Sequence, residues 1–528
     1  MNRREMTNEE TPLISMSTWK RDGDPSKCSS HGKSDSLCCC GTKTPFYRGS
    51  RTPIKNVDLL NIYSLPSLAI LMSYFCVGVV LQLLSTPVAY YLIDNLGASS
   101  GVYTTYYVLT TLPWSFKVLY GLLSDCVPLW GLKRKPYFVI GWLIHILANL
   151  CLALVGTPGV QLTIALSFFS ACGYLLSDVM TDAIVVERTK LEKGRQLGNI
   201  QASGYIARFV GSALGATAGA VLYDDSSWGW GLSISQLFWM NGLIPLFAVL
   251  PFTPFLYEER RPSGDPLKKH LLEIWTLSKK LAVWRPMAFV YIYNAMLIPN
   301  AAWTNYLVET LSFSEFEIGV INIGAQVFSW MGLVMYKWCM TNMNWRDVYI
   351  LTTIVGAIFS TTQLMLLFRI NKSLGIPDVV FATGDEGAVD FAIALQFLPL
   401  TRMYAVMCPM GTEGTSYALL TTVSNLAEGV AYSIGDMLTE LGGSWNVSNS
   451  VLIAGDISGM WRLTLLTSLI QVVPLGLIKL LPSSMQQQKA WQESSDSNKW
   501  GGSIFLAVTM GSILFTLGQG IWELVYGS

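Results

Sequence analysis

Residues 120–135 read Tyr120-Gly121-Leu122-Leu123-Ser124-Asp125-Cys126-Val127-Pro128-Leu129-Trp130-Gly131-Leu132-Lys133-Arg134-Lys135. A long apolar run ends on a carboxylate, a short Pro- and Gly-containing turn follows, and three cations precede the next apolar run. Each flanking run is close to the roughly 20 apolar residues that a helix needs to cross a bilayer, so the stretch marks a loop between two membrane spans. Working outward, the same reading yields about thirteen candidate spans, roughly 67–93, 102–123, 137–156, 160–185, 200–223, 234–256, 286–308, 316–340, 346–369, 388–409, 413–438, 461–482 and 502–526. With 51% hydrophobic and only 13% charged residues, one or two soluble domains could not hide this much apolar surface. Disordered, coiled-coil and disulfide-stapled classes are excluded on the same ground. A net charge of zero gives no bulk attraction to nucleic acid. The expected class is an all-α polytopic membrane protein.

The polar segments divide the chain. Residues 1–60 form a polar arm with no apolar run, hence no cleavable signal peptide. Residues 61–256 carry the first six spans, 257–285 the longest polar break, 286–482 six more, and 483–528 a linker with an extra hydrophobic helix. Lys and Arg cluster in the arm, after the second span (Lys133, Arg134, Lys135), after the fourth (Arg188, Lys190, Lys193, Arg195) and in the central break. The alternate loops lack them, so the N-terminus and central loop are expected in the cytosol. The sequons Asn371-Lys372-Ser373 and Asn446-Val447-Ser448 then fall on the opposite side. The last helix either spans or lies along the interface.

The cysteines form no disulfide framework. Those within spans read as small apolar packers. Cys28, His31 and Cys38-Cys39-Cys40 fit no standard zinc spacing, so no metal role is expected; the Cys triplet is a candidate for palmitoylation. Glu9 with Leu13-Ile14 has the form of an acidic dileucine sorting signal. No ATP-binding loop and no catalytic His or Cys cluster appears, so neither an enzyme nor a cofactor is expected. Energy would come from an ion or substrate gradient.

Ionisable residues inside spans are costly and mark sites by default. These are Lys117, His145, Asp178, Asp182, Arg208, Arg402, Glu413, Glu428 and Asp436. Asp178 and Asp182 lie four apart, on one helical face. Two adjacent carboxylates do not both ionise cheaply, which suits a proton-coupling site. Lys117 and Arg208 are expected to face this pair, with Arg402 and Glu413 as further members. The bland alternative is that the pairs only hold helices in register. His145 reads as a structural histidine, and Glu428 and Asp436 as lying near a polar helix end. Gly204, Gly211, Gly215 and Gly219 read as close helix packing.

Gly121 to Lys135 resembles, with a stretched middle, the loop signature of the major facilitator superfamily. In that reading Gly121, Asp125, Lys133 and Arg134 form a cytosolic gate. Pro113-Trp114 with Lys117 and the 120–137 stretch, Asp178-Val179-Met180-Thr181-Asp182-Ala183 with Glu187, and Cys408 to Leu420 ending near Asn425 are similar to three blocks of the folate–biopterin transporter family. They lie in order and cover roughly 65–482. The resemblance implies a major-facilitator fold, two six-helix halves around a central cavity, moving folates, pterins or a related small solute by alternating access, typically with protons. Its partners would be a small-molecule substrate, protons and the lipid bilayer. A folate's glutamate tail would seek Arg208 or Arg402. The plasma membrane is the leading expectation and an endolysosomal membrane the alternative. Other cargo such as S-adenosylmethionine, or a non-transporting nutrient sensor on the same fold, are the competing readings.

Overall fold

The computed structural model describes residues 59–97, 100–192, 198–223, 229–260, 266–439, 441–494 and 496–526. The expectations for Glu9, Leu13, Ile14, Cys28, His31, Cys38, Cys39, Cys40, Lys193 and Arg195 lie outside the described residues.

The described chain is helical throughout. In order come α1 (Leu65–Ile93), α2 (Ser100–Thr111), α3 (Lys117–Cys126), α4 (Lys135–Val155), α5 (Val160–Thr189), α6 (Asn199–Tyr223) and α7 (Ile234–Phe255). Then follow α8 (Leu267–Lys279), α9 (Leu281–Ala295), α10 (Phe316–Met340), α11 (Trp345–Leu367) and α12 (Asp378–Met407). The last are α13 (Glu413–Thr439), α14 (Ser458–Leu480), α15 (Met485–Glu493) and α16 (Lys499–Tyr526).

Ten helices among the described residues are long and apolar enough to span a membrane, rather than the thirteen expected. The second span is broken: α2 passes through a 3-10 turn, Leu112–Phe116, before α3 starts at Lys117. Pro113 at the start of that turn has no N–H to continue the α-helical ladder. The seventh is broken too, with α9 ending at Ala295 and helix resuming only at Trp303–Asn305, beyond Pro299. The eleventh, α13, is long but contains Glu413, Glu428 and Asp436. Broken helices at membrane depth are tolerated where they face protein or a cavity. The central break also contains α8, an amphipathic helix.

The glycine row of α6 packs on α1. A Cβ at Gly211 would sit 2.1 Å from the Phe75 carbonyl oxygen, at Gly215 2.6 Å from that of Val79, and at Gly219 2.5 Å from that of Leu83. In lipid, where burial gains little, such close backbone approach supplies packing attraction. Gly211→Ala must push the helices apart and is expected to cost about 2 kcal/mol or more. The midpoint of thermal unfolding checks this. Gly384→Ala, in a helix with nothing within 4 Å of the new methyl, is the control; equal midpoints would refute the packing account.

The last helix, α16, runs along the bundle instead of lying flat. Its start meets Lys279 and Trp284 at Gly502 and Gly501. Ser512 then bonds Tyr291, and Gln519 accepts from Ser433 at 2.8 Å. Ser433 lies twenty residues along α13 from Glu413, roughly 30 Å at 1.5 Å per residue, so Lys499–Gln519 covers a membrane thickness. One sequon does not survive inspection. Asn371 is fully buried and donates to Asp378 Oδ1 at 2.7 Å and to the Ile376 carbonyl, so it is closed to glycosylation once folded. Asn446 is half-buried.

Candidate functional site

The helix break in the second span sets up the site. It puts Lys117 on the first turn of α3, where the helix dipole disfavours a cation. Burial makes the cost larger, since only 4% of the residue is exposed. Asp178 of α5 compensates: Lys117 Nζ lies 2.7 Å from Oδ2 and Arg208 of α6 lies 3.0 Å from Oδ1. Trp114, in the break itself, covers both cations, with Lys117 Nζ 4.3 Å and the Arg208 guanidinium carbon 5.4 Å from its ring centre. Stacking of this kind gains most when the cations are out of water. The result is one carboxylate, two cations and an indole held by three helices.

One turn further along α5, Asp182 has a different environment. Among the described residues both cations form their ion pairs with Asp178, so the four side chains that the sequence groups together divide unequally. Asp182 Oδ1 accepts from the Tyr74 hydroxyl at 2.7 Å and the Tyr205 hydroxyl at 3.2 Å. Among the described residues no Lys or Arg forms an ion pair with it. Tyr205 reaches the Tyr417 hydroxyl at 3.4 Å, and Gln201 donates to Tyr417 at 2.8 Å. Tyr205 also meets Phe397 edge-on, ring centres 4.7 Å apart. Since Phe397 and Tyr417 belong to α12 and α13, the hydroxyl cluster joins the two halves.

Below it, at the end carrying the basic loops, the halves are locked. Asp125 Oδ1 accepts from Arg134 at 2.6 Å, while Oδ2 accepts from the Thr415 amide at 2.8 Å and the Thr415 hydroxyl at 2.6 Å. Arg134 also donates to the Ser124 hydroxyl and reaches Glu187 at 3.3 Å. Burial alone would raise the Asp125 carboxyl, but Arg134 and the two Thr415 donors outweigh it and hold it below its ordinary value. Gly121 permits the approach, because a Cβ there would lie 2.7 Å from the Gly414 carbonyl oxygen. Alongside, Lys190 of the first half pairs with Glu413 of the second at 2.6 Å. Glu258 closes the loop from outside, accepting from the amides of Lys133, Arg134 and Lys135 at 2.7–2.8 Å.

The BT1 family profile matches residues 77–499. The chain belongs to the BT1 family. The folate-biopterin transporter of Synechocystis sp. is 27% identical over 456 residues, covering 84% of this chain and 88% of that one. Folate transporter 1 of Plasmodium falciparum is 22% identical, covering 79% and 80%. Among solved structures, a bacterial homologue of the iron transporter ferroportin, in its outward-facing state, matches with a TM-score of 0.52 at 12% identity, over 83% of this chain and 99% of that one. That likeness speaks to the fold alone and agrees with a major-facilitator arrangement. The BT1 chain is therefore a multi-pass membrane protein of a transporter family and not an enzyme.

The structure disperses part of the expected site. Asp178, Asp182, Lys117 and Arg208 come together. Glu413 sits with the lock and not with this cluster. Arg402 lies apart as well, at the basic-loop end, its guanidinium carbon 5.7 Å from the centre of the Tyr336 ring. Of the loop cations Arg134 makes the lock, whereas Lys133 offers its backbone amide to Glu258. His145 is fully buried between the Ser170 hydroxyl and the Asn241 carbonyl, a structural position. Glu428 and Asp436 are exposed on α13. Sequence reading missed Thr415 and the tyrosines around Asp182. It also missed Asp385, Glu386 and Asp390 of α12; Asp385 accepts from the Thr362 hydroxyl. Their spacing inside an apolar helix was the available signal.

Proposed function

We propose that the BT1 chain is a proton-coupled secondary transporter of folates or pterins that works by alternating access, with the basic-loop end in the cytosol and the plasma membrane as its site. The observation that carries this reading is the buried Lys117–Asp178–Arg208 triad placed one turn from a carboxylate ringed by hydroxyls. The folate-biopterin and folate transporters among the relatives suggest the substrate class.

The chemistry follows from the two environments. Trp114 offers an aromatic face to a flat pterin ring. A substrate carboxylate competes with Asp178 for Arg208, exchanging one charge-assisted pair for another so that no cation is left bare. Asp182 is the proton carrier. Tyrosine hydroxyls both donate and accept, so a protonated Asp182 can give its one O–H to one of them while still accepting from the other. Binding from the end opposite the lock, followed by rocking of the halves and parting of Asp125 from Thr415, releases substrate and proton to the cytosol.

The test is accumulation of labelled folate and, separately, biopterin in proteoliposomes under an imposed proton gradient. Asp182→Asn keeps the hydroxyl contacts but carries no proton. It is expected to retain downhill exchange while losing gradient-driven accumulation at least tenfold. Full proton-driven accumulation by that variant would remove Asp182 from the mechanism. A second reading, cationic cargo such as S-adenosylmethionine, draws on the carboxylates of Glu386, Asp390 and Glu428 in α12 and α13, and labelled S-adenosylmethionine in the same vesicles decides it.

A further inference from the structure

A cavity of about 520 Å³ opens at the basic-loop end, away from the Asp178 cluster. Its walls come from four parts of the chain: Lys190 and Glu192 of the first half, Lys280 before α9, Arg402 of α12, and Lys489 and Glu493 of α15. Two of these charges are already used. Lys190 pairs with Glu413, and Glu192 accepts from the Gly198 and Ile200 amides at the start of α6. Lys280, Arg402 and Lys489 remain, against Glu493 and the retained charge of Glu192, which acts on Arg402 without forming an ion pair with it, so the lining stays net positive.

Arg402 is the informative member. Only 7% of it is exposed, yet its Nε has no hydrogen-bond partner among the described residues, and no carboxylate there forms an ion pair with it. A buried guanidinium without an ion-pair partner is costly. Its position is built in: Gly198 has φ +82°, and a Cβ there would lie 2.7 Å from the Arg402 side chain. Glycine is thus needed twice, for the backbone conformation and for the space that Arg402 fills.

We propose that this cavity binds a phosphate-bearing anion, either a phosphorylated lipid headgroup or a free phosphorylated solute, and that its occupancy holds the two halves together at this end. Three cations arriving from separate segments suit the spread oxygens of a phosphate dianion better than one flat carboxylate. The buried Arg402 fork supplies directional contacts, and the two exposed lysines act as point charges. Because the walls belong to both halves, the occupant binds the closed arrangement better than one in which they part. It shifts the equilibrium by that difference in affinity. The proposal does not depend on which cargo is carried.

The test uses the full chain in nanodiscs. Inorganic pyrophosphate and inositol trisphosphate, titrated by calorimetry, represent the free source. Discs with and without a phosphatidylinositol bisphosphate represent the lipid source. A Ser416→Cys chain whose ten native cysteines are replaced by alanine, labelled with a membrane-impermeant maleimide, reads closure at the basic-loop end. Binding in either arm is expected, with slower labelling when bound and at least a tenfold loss of affinity in Arg402→Gln. The Lys280→Gln, Lys489→Gln double variant, at two exposed positions, carries the same expectation if Arg402→Gln fails to fold. No binding at millimolar concentrations in either arm overturns the proposal. So does binding that survives both variants, or occupation of the cavity by a polyglutamylated folate in preference to the phosphates.

Discussion

Asp178→Asn is expected to lower substrate accumulation at least about a hundredfold and to destabilise the fold by about 3–5 kcal/mol. The two effects share a cause. Asp178 is fully buried and bonds Lys117 with one oxygen and Arg208 with the other. Asparagine of the same shape keeps at most one acceptor and leaves two buried cations with no carboxylate between them. The next nearest carboxylate is Asp182, a turn away and already held by Tyr74 and Tyr205. To reach a cation it must abandon those hydroxyls. Stability and function separate in a second variant. Lys117→Met with Asp178→Asn removes one cation along with the carboxylate, and is expected to recover part of the lost stability. Transport should stay low, because the exchange of partners at Arg208 has lost its carboxylate. Thermal unfolding read beside proteoliposome uptake checks both. Normal uptake in Asp178→Asn would mean that the triad is only a structural brace, the bland alternative that the sequence left open.

How far the residues announced this arrangement depends on which distances matter. Hydropathy depends on local composition, so the long apolar helices were legible to within a few residues, except α12, which starts at Asp378, ten residues before the expected 388, because Asp385, Glu386 and Asp390 interrupt its apolar run. The breaks were harder, because a helix interrupted by a few residues leaves the apolar run intact. Only Pro113 and Pro299 hinted at them. The i,i+4 relation of Asp178 and Asp182 was legible because one helix sets it. Their unequal surroundings were not, because Tyr74, Tyr205 and Tyr417 arrive from three other helices. A charge count could propose that two cations face two carboxylates but could not divide them. Arg402 shows the same limit: an arginine within a predicted span looked like a site member, and the fold carried it to the cavity at the basic-loop end. Thr415 escaped because a threonine in a polar helix start is common, and only its contact with Asp125, 290 residues away, gives it a role.

That contact carries the second large effect. Arg134→Ala is expected to cost about 3–5 kcal/mol, since it strands a fully buried Asp125 and empties the space of a fully buried side chain. Asp125→Asn is the gentler and more informative change. It keeps an acceptor for Thr415 but turns the two charge-assisted bonds that Thr415 donates across the halves into neutral ones, worth about 2 kcal/mol or roughly a thirtyfold shift toward the open arrangement. In a Ser416→Cys background freed of the native cysteines, where Ser416 is buried beside the lock, labelling by an impermeant maleimide should rise at least tenfold. The pH dependence distinguishes this lock from a proton-operated gate. Asp125 is held below its ordinary value of 3.8, so its contribution is complete above that value and fades only as pH falls through the depressed one. Labelling of the chain without a lock substitution, expressed at every pH relative to that of a fully exposed reference cysteine so that thiol ionisation cancels, should therefore stay flat from about pH 5 to 8. A rise in labelling across that interval would show that some other group opens the lock. A flat profile, with Asp125→Asn raised throughout, fits a latch whose release must be driven by the rocking of the halves, leaving proton sensing to the cluster above it.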